Sequence, residues 1–420
     1  MGMNGGGIAR GLALAALLAL VAPALAAPQA SPDRIADVAD LDENPFPAFD
    51  DFAWRALLAL NWPAAIPGEP DRAAHLGDPG PRVWETFSPR DAADPCHAGA
   101  SEKVVSSARP FAEFNQTSFD PGAPDSPLVA RNGTYVRYET RFDRAAFEAL
   151  HSAQGTLRAP EGATAVKAAW RLLTSADSPA IRARYYVAKG AWVTDVAASR
   201  AAGHVVCARA DLALVGLHIV VRTKSQPQGI WATFEHVDNA PPVGLGDARE
   251  PDARDEGASF AFNNPRDQQN EIFPPRGWAV ATPVSAENPP RTNPTLSQVI
   301  RKHPIRREIM QANHAYWALP EIAGSVWRRY MLVSVQWPTV IAPRGPENDG
   351  RYFPGLKIEP DSKASKYKVD EGEDLRNLAN SVMETYAQDL PASCMACHHA
   401  VGNARGYDFV GMFGAAPARN

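Results

Sequence analysis

The chain has 420 residues, 45% hydrophobic and 21% charged, and its 38 prolines amount to about 9% against a usual share of about 5%. This is globular composition rich in turns; there is too much apolar surface for a wholly disordered chain, and no Gly-X-Y or heptad period for a fibrous one. The 42 basic and 47 acidic residues are interspersed and leave a formal charge of −5, so no basic field exists to hold a phosphate backbone, and nucleic acid is not an expected partner.

Residues 1–26 read as a secretory signal peptide. Arg10 precedes the apolar run Leu12 to Val21, and Ala24-Leu25-Ala26 forms a small-residue cleavage site. Pro23 breaks the run before it reaches the roughly 20 apolar residues that a membrane span needs. The mature chain is expected to begin at Ala27, without a membrane span, in the periplasm or outside the cell, where thiols are oxidised.

From Phe52 to Leu60 good helix formers run up to Asn61-Trp62-Pro63, which predicts a short buried helix stopped by proline. Pro67 to Pro127 mixes Gly, Pro and Asp with short apolar pieces such as Val83 to Phe87, and reads as loop with isolated turns or strands. A strand-rich middle follows: Thr134–Thr140, Ala165–Trp170, Arg184–Ala188, Leu214–Arg222 and Ile230–Val237, the last alternating with period two. Strands separated by turns predict an antiparallel sheet. Ten prolines between Asn239 and Pro294 predict a long loop, serving as a lid or a covering segment or else disordered.

Helical spacing returns over Leu296–Met310, Ile322–Leu332 and Asp374–Tyr386. The expected fold is therefore α+β. Beyond the signal peptide, residues 27–295 are mostly β and loop, and 296–420 form a helical C-terminal end.

Ser393-Cys394-Met395-Ala396-Cys397-His398 contains C-x-x-C-H, the attachment pattern of a c-type haem. Two thiols on one helical turn add to the two vinyl groups of one haem, and the adjacent His398 imidazole then lies under the iron as an axial ligand. One covalent haem c is the expected cofactor. A thioredoxin-like pair would need a βαβ setting that the preceding segment lacks, and a zinc site would need a second ligand pair at knuckle spacing. Cys96 and Cys207 remain, 111 positions apart. In an oxidising compartment they most simply pair, although two buried free thiols are the alternative.

The blocks Phe52–Pro63, Val83–Phe87, Val215–Val220, Trp231–Asn239, Tyr316–Pro338 and Met383–His398 resemble a group of exported bacterial proteins of the cytochrome c family. The resemblance implies covalent haem and brings no established substrate with it. Ordinary small cytochromes c place the attachment motif near the start of a domain, whereas here only 22 residues follow His398.

The second axial position has few candidates. Met412, 14 positions beyond His398, has enough chain to wrap the haem edge, but it also suits an apolar tail. Met310, Met331, Met383, His218 and His236 are the others, while His399 cannot reach the opposite face of the same haem, and an open position is the remaining option. The chain is read as an exported mono-haem cytochrome passing single electrons to a partner protein. Its length leaves room for two alternatives: an oxidoreductase with Trp231, Glu235 and His236 lining a pocket, or a non-catalytic haem-based sensor.

Overall fold

The computed structural model describes residues 28–34, 36–38, 46–89, 96, 102–105, 112–114, 127–151, 160–226, 229–242, 259–264, 291–301, 305–337, 380–385 and 388. The signal peptide, Cys394, Cys397, His398 and Met412 lie outside the described residues.

In chain order the elements are α1 (Phe46–Leu60), β1 (Ala64–Ile66), β2 (Glu69–Pro70), β3 (Ser88–Pro89), β4 (Val104–Val105), β5 (Arg137–Phe142), α2 (Arg144–His151), β6 (Thr164–Leu172), α3 (Pro179–Arg182), β7 (Val187–Thr194), α4 (Val196–Ala202), β8 (Cys207–Val221), β9 (Ile230–His236), α5 (Arg307–Trp317), α6 (Pro320–Ala323) and β10 (Tyr330–Gln336). The fold is α+β, built on one sheet with strand order β10-β9-β8-β6-β5-β3; β7 pairs with the first part of β8 and carries β4 on its other edge. Every pairing is antiparallel except β4 with β7.

β8 is the axis of the sheet. Its 15 residues pair with β6 over Leu212–Val221, while β7 takes the earlier part and β9 the later part of the opposite edge. A register shift between Ala169 and Trp170 brings Leu214 opposite Trp170 and Gly216 opposite Ala169, so one residue of β8 is extra there.

Two cores follow from strand alternation. On one face Val166, Ala168, Trp170, Leu217, Ile219, Ala232 and Phe234 pack with α1 and α5. Helix α1 is buried over Phe49, Asp50 and Phe52–Leu60, hence on all sides, because the sheet lies beneath it and α5 beside it. Its polar atoms are matched to that setting: Trp54 Nε1 donates to Asn313 Oδ1 at 3.0 Å, Trp54 stacks on Tyr316 at 4.9 Å, and the Tyr316 hydroxyl donates to Asp51 at 2.5 Å. On the other face Tyr138, Ala169, Ala213, Val215, Phe262, Val299, Val382 and Met383 form a second cluster.

Three expectations are corrected. Ile322–Leu332 is not one helix: α6 ends before Gly324, a 3-10 turn spans Val326–Arg329, and β10 begins at Tyr330. The backbone groups along the edge of β9 are satisfied by β10, and that long-range ladder outweighs a local three-and-four spacing. Leu296–Met310 is not helical throughout, since Ser297 and Val299 form cross-chain bonds to Val129 and Phe262 and α5 starts only at Arg307. Pro304, which disfavours helix in the residue before it, stands between the two parts. The strands are also separated by short helices as well as turns. Helix α4 carries its signals openly, with Asp195 accepting from Ala198 N and Gly203 closing it at φ 71°.

Of the segment Asp374–Tyr386, residues 380–385 form a turn with Glu384 N bonded to Asn380 O at 3.2 Å, and 374–379 and 386 lie outside the described residues. Phe262, from within the proline-rich stretch, turns back to bond Asn239 O and is fully buried.

Cys96 and Cys207 are joined as a disulfide, with Cα atoms 5.5 Å apart, at the first residue of β8. Closing 111 positions should stabilise the fold by about 5 kcal/mol in the chain-entropy view. Non-reducing peptide mapping of protein isolated without reductant is expected to recover the linked pair, and Cys207→Ser to lower the urea midpoint; two alkylated free thiols in unreduced protein would refute the linkage.

Candidate functional site

Strand alternation separates the three residues proposed to line a pocket on β9. Trp231 and Glu235 share the face of the second core, whereas His236, at the end of the strand, packs between Tyr185 of that core and Tyr330 of the first.

Glu235 is fully buried and accepts from four groups. Arg301 donates through Nε at 3.0 Å and Nη2 at 2.5 Å, Ser381 through its backbone N at 3.2 Å and also its hydroxyl, and Asn239 through Nδ2 at 3.4 Å. A buried carboxylate is tolerable only with such a set of donors. Around it the C-terminal segment is fixed to the sheet: Asn380 Nδ2 donates to Phe234 O at 3.0 Å, the Tyr138 hydroxyl to Val382 O at 2.5 Å, and Gln388 Nε2 to Ile300 O at 3.0 Å. Glycine at 216 makes this seat possible, because a Cβ there would lie 2.7 Å from Val382 Cγ2 and 3.3 Å from Met383 Cε.

His218 on β8 and Glu384 complete the contact, with Nε2 3.3 Å from Oε2. Burial opposes the charge on Glu384, but His218 and Lys167 outweigh it and hold its carboxyl below the ordinary range.

Both nitrogens of His236 are committed within the protein. Nε2 lies 3.0 Å from Arg184 O and so carries the proton, while Nδ1 accepts from Asp238 N at 3.1 Å. Its ring stacks on Tyr185 at 4.0 Å. Burial lowers its pKa to about 4, so it stays neutral at pH 7. Met310 and Met331 are likewise buried core residues, and Met383 packs at Gly216.

On the α1 side lies a second ionic cluster. Lys103 bridges Glu85 at 3.0 Å and Glu139 at 2.8 Å, and stands 4.8 and 4.5 Å over the rings of Trp84 and Trp170. Burial alone would raise Glu139, but Arg141 and Lys103 bring it down to about 2. Each carboxylate here has its partners, so the cluster serves as structure.

Among the described residues no group of three or more His, Cys, Asp or Glu is placed to hold a metal ion, and no helix is long and apolar enough to cross a membrane. Comparison with protein-family models, curated proteins and solved structures gave no match. Sequence reasoning found Glu235 but missed its role: nothing local in Trp231–Val237 indicates that its partners stand at Arg301 and Ser381.

Two outcomes test these assignments. Glu235→Ala leaves Arg301 buried without its counterion, and should cost about 3–5 kcal/mol in urea unfolding; an unchanged midpoint would remove the clamp. For His236 the unfolded chain takes up a proton near pH 6.5 and the folded one only near 4. The unfolded state therefore binds more protons in between, so this contribution is complete above pH 6.5 and is lost as pH falls toward 4, by about 3 kcal/mol in all. His236→Gln should flatten that part of the stability profile.

Proposed function

We propose that the protein is an exported mono-haem c-type cytochrome that transfers single electrons, with Cys394 and Cys397 as the thioether residues and His398 as an axial ligand. The observation that carries this reading is the C-x-x-C-H pentapeptide in a chain that also bears an export signal, which supplies the compartment where such attachment takes place. The approach to the motif is compatible with it: Gln388, six residues before Cys394, is buried and bonded to Ile300 O in the 291–301 stretch. When bound, the haem would supply a one-electron couple whose potential is set by burial, hydrogen bonding and its ligands. The chain would contribute the thiols and the imidazole. Met412 stays the proposed second axial ligand, in competition with an open position.

Expression with cytochrome c maturation factors should give a haem-staining band near the mature mass on a denaturing gel, and Cys394→Ala with Cys397→Ala should lose it. Mature protein without covalent haem would refute the reading. If Met412 is bound to iron, the reduced protein should not take up carbon monoxide until Met412→Ala is introduced. Uptake by the wild type would favour the oxidoreductase and haem-based sensor readings.

A further inference from the structure

The sheet face over which residues 380–384 lie carries a transverse polar row. The register sets Thr140 beside Lys167, Lys167 beside His218, His218 beside Thr233 and Thr233 beside Ser334; one pair further along, Trp231 stands beside Gln336. Lys167 and His218 are each 6% exposed, Thr233 2%, and Ser334 and Gln336 1%. A sheet face covered on its outer side ordinarily carries apolar residues, as the α1 side of these same strands does.

The Ser334 hydroxyl and both amide atoms of Gln336 are buried without a hydrogen-bond partner, and each such group costs about 1–3 kcal/mol if it stays so. Glu384 already faces His218, with Lys167 beside it, which leaves the Ser334 hydroxyl and the Gln336 amide, two positions apart on β10, as hydrogen-bond donors for a further acceptor. Hydroxyl and primary amide together form a donor pair for a carboxylate.

We propose that this row receives the propionate carboxylates of the haem, an inference that rests on covalent attachment at Cys394 and Cys397. The chain permits it. From Gln388 to Cys394 is six residues, a reach of up to about 20 Å, and Gln388 is bonded beside Arg301, which in turn holds Glu235, two positions along β9 from Thr233. The same donor set could take a free small carboxylate, and the experiment separates the two sources.

The test compares holoprotein variants by redox titration, with covalent haem verified in each. Gln336→Glu sets a negative charge against the propionates and favours the oxidised haem. It should lower the ratio of reduced to oxidised haem at fixed ambient potential about tenfold, a shift of about 59 mV for a one-electron couple. Lys189→Met, at an exposed position of β7, should leave it unchanged. Ser334→Ala and Gln336→Leu, which keep the shape of the wall, should shift the propionate bending band in the resonance Raman spectrum.

Haem-loaded Gln336→Glu with the wild-type potential would overturn the assignment and leave the cytochrome reading standing, whereas a wild type without covalent haem overturns both. Titration of the wild type with acetate and succinate should be without effect. A saturable spectral change that Gln336→Leu abolishes would assign the row to a free carboxylate and overturn its role toward the haem.

Discussion

One buried carboxylate holds the C-terminal chain to the rest of the molecule. Glu235 has no access to water, and its charge is tolerated because Arg301, Ser381 and Asn239 converge on it from three separate segments. Were any of these to withdraw, a carboxylate with unmet lone pairs would be left inside the protein, at a cost of several kcal/mol. The sheet, the 291–301 stretch and the approach to the C-x-x-C-H motif are thus fastened together. Gly216 provides the room and Tyr138 the second fastening.

The same sheet shows two solutions to burying charge. On the α1 side Glu85, Lys103, Glu139 and Arg141 neutralise one another beneath the rings of Trp84 and Trp170, and Glu139 stays ionised with a pKa of about 2. Asp50, in α1, has less: burial raises it to about 7, Arg306 opposing at 3.5 Å, and both its oxygens lack hydrogen-bond donors. A network of several partners fixes a charge, whereas a single one leaves the group titrating close to physiological pH.

The strand-rich middle was legible in the sequence because Ala165–Trp170, Leu214–Arg222 and Ile230–Val237 are β-branched or aromatic runs whose preference agrees with their place in the sheet. Helix α1 was legible for a similar reason, its end being marked by Asn61-Trp62-Pro63. β10 was not, since Ile322, Val326, Arg329 and Leu332 mimic a helical stripe and only the unpaired edge of β9 decides between the two forms. Trp231, Glu235 and His236 fall on one strand as read, but the partners that fix Glu235 and His236, namely Arg301, Ser381, Arg184 and Tyr185, come from other parts of the chain. The Glu235 clamp and the polar row could not be read at all, because each is assembled by register across strands far apart in sequence.

The fastening of the C-terminal segment has a kinetic side. Ser381 meets Glu235 across 146 positions and Val382 meets Tyr138 across 244. Contacts between such distant parts of a chain are formed only after a large entropy of loop closure has been met, so they belong to the slow end of folding. The sheet, with its hairpin-like β8–β9 neighbours, can assemble before the segment that leads to Cys394 is seated.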